Sequence, residues 1–279
     1  MHLLYGKPIA DNLLADVKEE VSKLDRMPGL AAVLVGDNSA SKMYVELKKK
    51  AAKKCGMEFF DYFLPGNASE EDVLAAIRHL NGDGEIDGIL VQLPLPGGLD
   101  KAKILEAIDP KKDVDGLTSE NQRCIRENAT CFICPFPKAI MRLLESSGVD
   151  MAGKQAFVLA NSREFGEAMV GMLAAKGMDA QMSTSRDPAV FGPGMRESDA
   201  IVTAVGVPNI VRGEYVKEGA VVIDGGIDRI GDEVKGDACV EDFDDREVNI
   251  SPVPGGVGPV TVACLMENVV LAATPKGNH

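Results

Sequence analysis

Apolar and polar positions alternate along the chain with two periods, one of helices and one of buried strands. Ile9–Leu24 has helical spacing, and Leu30–Val35 is a short apolar run of strand length. Ala40–Cys55 reads as a helix, Glu58–Phe63 as a strand and Glu70–Leu80 as a helix. Ile86–Leu93 is a second buried strand, stopped by Pro94 and Pro96. Thr118–Cys134 has no clear period and runs into Pro135 and Pro137, which marks it as a hinge. Lys138–Ser147 then predicts a helix, followed by strands at Ala156–Leu159, Ala180–Ser183, Ala200–Ala204 and Val221–Asp224 in a second strand–helix series. Ser251–Pro259 is too rich in Pro and Gly for regular structure, and Thr261–Ala273 reads as a closing helix. Alternating strands and helices predict an α/β chain with parallel sheets.

One lysine falls on the wrong side of its helix. With Lys48 set at zero on a helical wheel, Tyr44, Val45, Ala51, Ala52 and Cys55 fall within about 60° of it. Glu46, Lys49, Lys50, Lys53 and Lys54 fall on the opposite side, as a solvated face would. An inward lysine either snorkels past the core or serves a site. A desolvated lysine can move protons near neutral pH. Tyr44, one turn earlier, can supply a ring wall for an aromatic ligand.

Two other polar groups stand where ligands of open parallel sheets bind, beyond the carboxyl ends of strands. Gln92 closes the run Ile89-Leu90-Val91 and precedes Leu93. It either satisfies loop backbone or donates and accepts within a site. Lys112-Asp113-Val114-Asp115-Gly116 reads as a turn with two carboxylates. One of them suits the donor-rich edge of a heterocycle. With no His or further acid nearby, no metal site is expected.

In the second half, Phe157-Val158-Leu159 leads into Ala160-Asn161-Ser162-Arg163 and then Gly166. This lacks the G-x-G-x-x-G fingerprint. A small residue, a hydroxyl and a Gly at a strand-to-helix turn still suit a pyrophosphate at a helix N-terminus. The next strand ends at Ser185-Arg186-Asp187, where Arg186, with Arg163, suits the 2′-phosphate of NADP and the acid suits NAD. Small residues follow the next two strands, in Ala204-Val205-Gly206-Val207-Pro208 and Gly225-Gly226-Ile227, so a flat cofactor can lie against backbone.

Composition narrows the class. The 279 residues are 45% hydrophobic and 26% charged, enough to bury a core without disulfides. A net charge of −13 argues against nucleic acid or an anionic membrane as partner. No leader and no membrane-length apolar run is visible, so the six cysteines are expected reduced, in the cytoplasm. Cys131-x-x-Cys134 has no second pair and reads as structural, and His2, His79 and His279 are not placed for catalysis.

Taken together, four stretches resemble the bifunctional methylenetetrahydrofolate dehydrogenase/cyclohydrolase family, in the family's order. They are Val35–Ser41 with Tyr44 and Lys48, Gly88–Pro96, Lys112–Gly116, and Pro252–Pro259 followed by Thr261. The resemblance covers nearly the full chain. It implies a folate-binding catalytic domain at 1–134, completed by a helix at 260–279, and a Rossmann-like dinucleotide domain at 135–259, with a cleft between them. It implies that Lys48 is the catalytic lysine, Gln92 its partner, Tyr44 the ring that stacks on the folate and Asp115 the carboxylate on the pterin edge. Gln92 would bias Lys48 toward its neutral form or orient the attacking water. Leu93, Pro254, Gly255 and Gly258 would complete the substrate contacts. NADP, with NAD open, would lie on Ala160, Asn161, Ser162, Arg163, Ser185, Arg186, Ala204, Gly206, Pro208, Ile227 and Thr261. The family usually has Gly-Arg-Ser where this chain has Ala160-Asn161-Ser162. The partners implied are tetrahydrofolate one-carbon derivatives and a second copy of the chain. The rivals are a monofunctional dehydrogenase and a nucleotide-binding regulator.

Overall fold

Residues 1–126, 131–231 and 233–274 are described in the computed structural model of the chain. The strands are β1 (His2–Leu3), β2 (Gly29–Val35), β3 (Glu58–Leu64), β4 (Gly88–Val91), β5 (Gln155–Ala160), β6 (Asp179–Ser183), β7 (Ala200–Ala204), β8 (Val221–Asp224), β9 (Asp228–Ile230), β10 (Glu233–Lys235) and β11 (Asn249–Ile250). The helices are α1 (Gly6–Val21), α2 (Ser39–Cys55), α3 (Glu70–Gly82), α4 (Lys101–Glu106), α5 (Ser119–Arg126), α6 (Pro135–Ser146), α7 (Arg163–Ala175), α8 (Pro188–Glu197) and α9 (Val257–Ala273). They fall into two units, Asp11–Pro135 with Val262–His279, and Met1–Ala10 with Phe136–Thr261.

The first unit is built on a three-stranded parallel sheet in the order β3-β2-β4. β2 reads Gly-Leu-Ala-Ala-Val-Leu-Val and is buried throughout, as an apolar run covered on both faces must be. Its side chains alternate between two cores. Leu30, Ala32 and Leu34 pack with Val17 and Val21 of α1, Val45, Ala52 and Cys55 of α2, and Leu265 and Val269 of α9. Ala31, Val33 and Val35 pack with Val73, Ile77 and Leu80 of α3 and Ile104 of α4. Each fully buried Leu contributes about 2 kcal/mol by area alone.

Asn268 of α9 is 1% exposed and donates to the backbone oxygens of Val114 at 2.8 Å and Ile133 at 2.9 Å. It therefore ties α9 to the loop that carries Asp115. Asn268→Ala leaves both carbonyls without this donor and is expected to destabilise the first unit by about 1–3 kcal/mol. A urea melt of the variant reads this, and an unchanged midpoint would refute the tie.

The second unit holds a six-stranded sheet, β1-β11-β8-β7-β5-β6, parallel at every pairing. The chain passes from β5 through α7 to β6 on one side, then returns through α8 to β7 on the other. The strand order thus reverses between β5 and β7, and such a switch point leaves a crevice beyond the strands' carboxyl ends. Phe157, Leu159, Ile201 and Val222 from the sheet pack with Phe191 and Met195 of α8.

Three expectations need correction. Thr118–Cys134 is not all irregular: Ser119–Arg126 is helical, while 127–130 and His279 lie outside the described residues. The Pro- and Gly-rich segment ends in regular structure, because α9 already starts at Val257 with Pro259 in its first turn, where a missing N–H is tolerated. Residues 1–10 go with the second unit, since β1 pairs with β11. A two-residue strand gives no period to read, so its place is set by the sheet edge it meets.

Candidate active site

The first unit gathers the residues singled out in its sequence. α2 starts where the Asn38 side chain accepts from the Ser41 N–H at 3.0 Å, and it ends at Gly56, which is left-handed at φ 82°. Those two caps set where the helix begins and ends. Val45, Ala51, Ala52 and Cys55 are buried, and Tyr44 and Lys48 are half-buried at the edge of that face. Lys49 departs from the expected solvated face: it forms an ion pair with Asp61 of β3, and its side chain is only 25% exposed.

Lys48 Nζ donates to Gln92 Oε1 at 3.0 Å. Gln92 is 9% exposed, and its Nε2 donates to the Leu93 carbonyl at 2.7 Å. Its backbone N–H donates to Val33 O at 2.9 Å, so β2 fixes where the side chain starts. With its amide nitrogen used on Leu93, Gln92 presents its oxygen to the lysine. An acceptor held in this way fixes the direction in which Lys48 Nζ points. Leu93 itself is half-buried, at a cis Leu93–Pro94 bond.

Asp115 enters from the loop after α4. Ile89 N–H donates to Lys112 O at 2.7 Å, which pins that loop to β4. Asp113 is fully buried, and its Oδ2 accepts from Thr118 N and Oγ1, both at 2.8 Å, and from Asn121 Nδ2 at 2.9 Å. Asp113 is thereby the frame of the loop that carries Asp115. Burial pushes the Asp115 carboxyl up, the Lys48 charge opposes this, and Asp113 adds to it. Gly116 closes the loop at φ 65°, and a Cβ there would strike the backbone of Phe132 and Cys134. The sequence pattern did not single out Asn121 or Asn268; a lone Asn carries no period, and only its partners reveal its work.

The residues expected to bind a dinucleotide lie in the second unit. Asn161 N–H donates to Ala204 O at 3.0 Å, so the ends of β5 and β7 meet at the switch point. Ser162 caps α7, its Oγ accepting from Phe165 N–H at 3.3 Å. Arg163 is exposed and paired with Glu167 at 2.6 Å. These two, with Val170, Met182, Ser183 and Thr184, line a recess of about 420 Å³ at the end of β6. Ser185 Oγ accepts from Asp187 N–H, and the Asp187 carboxylate caps α8 by accepting from Ala189 N–H at 2.9 Å. The acid at this strand end is thus committed to a helix cap. Arg186, Gly206 and Ile227 are exposed and Pro208 is half-buried. Pro254, Gly255 and Gly258 belong to this unit, as does Thr261, whose hydroxyl donates to Val257 O within α9.

The same unit holds two acids that sequence reasoning passed over, Asp224 at the end of β8 and Asp237. Their only signal is an acid closing an apolar strand and another after a Gly. Burial pushes the Asp224 carboxyl up to about 7, opposed first by the Ala238 N–H, while the charge of Asp237 adds to the rise. An acid raised on folding favours the protonated fold. Its contribution is complete below about pH 4, the ordinary carboxylate range, and is lost as pH rises to about 7. Thermal midpoints are therefore expected to fall between pH 5 and 8, and to fall less in Asp224→Asn, which cannot ionise. Equal falls in both proteins would remove Asp224 as the cause.

A parallel sheet with a switch-point crevice, together with a half-buried lysine held by a strand-end glutamine, defines a two-unit α/β enzyme of dinucleotide type. The catalytic domain of the tetrahydrofolate dehydrogenase/cyclohydrolase family matches residues 4–115, and that family's NAD(P)-binding domain matches residues 134–276. The chain belongs to the tetrahydrofolate dehydrogenase/cyclohydrolase family. It is 42% identical over 275 residues to the bifunctional protein FolD of Moorella thermoacetica, covering 97% of this chain and 98% of that one. The FolD crystal structure from Campylobacter jejuni has a TM-score of 0.90 at 37% identity, with 98% of each chain covered. The Trypanosoma brucei enzyme, solved with NADP cofactor and inhibitor, has a TM-score of 0.91 at 34% identity, covering 97% of this chain and 96% of that one.

Proposed function

We propose that this protein oxidises 5,10-methylenetetrahydrofolate to 5,10-methenyltetrahydrofolate with NADP and hydrolyses the product to 10-formyltetrahydrofolate. The observation that carries the reading is the Lys48–Gln92 hydrogen bond in the domain that also holds Asp115. Hydride transfer alone needs alignment and no proton relay, so a held lysine is explained by the second step. There, water adds to the methenyl carbon and loses a proton. The bond from that carbon to N5 then breaks, the remaining hydroxyl proton leaves to solvent as the formyl C=O forms, and N5 gains a proton. Lys48 takes and returns that proton, and Gln92 fixes where its Nζ stands. Asp115 accepts from the N–H groups of the pterin edge, Tyr44 supplies a ring wall, and Leu93, Pro254, Gly255 and Gly258 complete the substrate contacts.

The second unit fits a dinucleotide. The α7 N-terminus, capped by Ser162, stands at the strand switch with Ala160 and Asn161. Arg163 at the β6 recess, with Ser185 and Arg186 near its end, provides the charge and hydroxyls a 2′-phosphate needs. Ala204, Gly206, Pro208 and Ile227 leave a low backbone surface, and Thr261 adds a hydroxyl. When bound, NADP accepts the hydride at its nicotinamide. We further read the protein as a cytoplasmic homodimer. No described helix is long and apolar enough to cross a membrane, and the family resemblance supports the dimer.

The test is an absorbance assay with 5,10-methylenetetrahydrofolate and NADP, following reduced nicotinamide and the methenyl chromophore together. Reduced cofactor without methenyl build-up is the expected result. Methenyl build-up would leave only the dehydrogenase. No reaction, together with persistence of added methenyltetrahydrofolate, would overturn the proposal.

A further inference from the structure

The carboxyl ends of β7 and β8 are joined by a third segment, Gly236–Ala238, which follows β10. Asp237 is fully buried. Its carboxylate accepts from Thr203 Oγ1 at 2.6 Å, Val205 N–H at 2.7 Å and Val207 N–H at 2.9 Å. The two amides flank Gly206. Asp224 is 2% exposed and accepts from Gly226 N–H at 2.9 Å, Asp237 N–H at 3.1 Å and Ala238 N–H at 2.8 Å. Two glycines make room for the acids: a Cβ on Gly226 would strike the Asp237 carboxylate, and one on Gly236 would strike that of Asp224.

We propose that Asp237 and Asp224 are positioning residues for the dinucleotide, stapling together the backbone loops after β7 and β8 on which the cofactor is set. The inference rests on reading this unit as the NADP site. Two arguments support it. First, the donors these acids collect are neutral N–H and O–H groups. A buried acid held only by dipoles is expensive, and an apolar pair would hold two strands at less cost. What the acids add is a fixed course for the loops. Second, those loops are the ones beyond the carboxyl ends of adjacent parallel strands, one of them bordering the switch point. A loop without regular hydrogen bonding would otherwise wander there, and a displacement of about 1 Å at such a site is enough to lose much of its function.

The test uses the full-length protein and measures the Kd for NADP by calorimetry. Asp237→Asn turns one acceptor oxygen into a donor that faces other donors. It is expected to raise the Kd for NADP about tenfold or more, the loss of one charge-assisted hydrogen bond. Hydrolysis of methenyltetrahydrofolate, whose proton-moving pair Lys48 and Gln92 lies in the first unit, should fall far less. Thr203→Val, which removes only the hydroxyl donor, keeps the carboxylate and provides a milder variant should Asp237→Asn not fold. It is expected to raise Kd about threefold, and Thr203→Ser to restore it, one neutral hydrogen bond being at stake. An unchanged Kd in Thr203→Val and in folded Asp237→Asn overturns the staple. So does parallel loss of NADP binding and hydrolysis, which would mark a merely structural acid. A wild type that binds NADP but turns over neither folate would sink the proposed activity while leaving the staple tested by Kd. A wild type that binds no nucleotide would sink both.

Discussion

Lys48→Met is expected to slow hydrolysis of methenyltetrahydrofolate by at least about a hundredfold, the lower end of what a positioned acid–base contributes. NADP affinity should stay within about twofold, since Lys48 lies in the first unit and the dinucleotide residues in the second. Methionine keeps the length and the apolar stem of the side chain but has no proton to give. The variant also leaves Gln92 Oε1, in a residue 9% exposed, without its 3.0 Å donor. That loss is worth about 1–3 kcal/mol of stability, so activity is to be read well below the melting temperature. Following the decay of the methenyl chromophore settles the matter. A wild-type rate in Lys48→Met would remove the lysine from the mechanism.

The second large effect is expected at Asp115. Asp115→Ala should weaken binding of a folate analogue about 10- to 100-fold, as removal of a charge-assisted hydrogen bond does. NADP binding should change by less than about twofold, because the residue lies in the other unit. The loop should keep its course without Asp115, since Asp113 holds it through Thr118 and Asn121. The carboxyl is raised by burial, with Lys48 opposing. Only its ionised form accepts fully from pterin N–H groups. Folate affinity in the wild type should therefore weaken on acidification at a higher pH than an ordinary carboxylate would dictate, and Asp115→Ala should lose that dependence. Equal losses for folate and NADP would count against a pterin-specific carboxylate.

The hydropathy pattern carried the framework because long apolar runs have few alternatives. β2 is a seven-residue apolar stretch, and such a strand must be covered on both faces. Lys48 was legible for the same reason: a charge inside an apolar stripe breaks a period. Gln92 and Asp115 were legible only as polar residues at strand ends, each with a plain reading as a turn or loop ligand. Asp237 was not legible at all. It follows a Gly, belongs to no periodic segment, and acquires meaning only through Thr203, Val205 and Val207, some thirty residues earlier in the chain. β1 was lost likewise, because its partner β11 lies at the other end of the chain.

The sequence by itself determined the alternation of strands and helices, the inward lysine and the family, because these rest on local periodicity and on motifs in order. The tertiary structure alone decided that Gln92 turns its oxygen to Lys48, that Asp187 caps a helix and that Asp113 frames the loop carrying Asp115. It also decided that two buried acids join the ends of β7 and β8. Hydrogen bonds between residues far apart in the chain leave no period behind, so only the fold that brings donor and acceptor together reveals them.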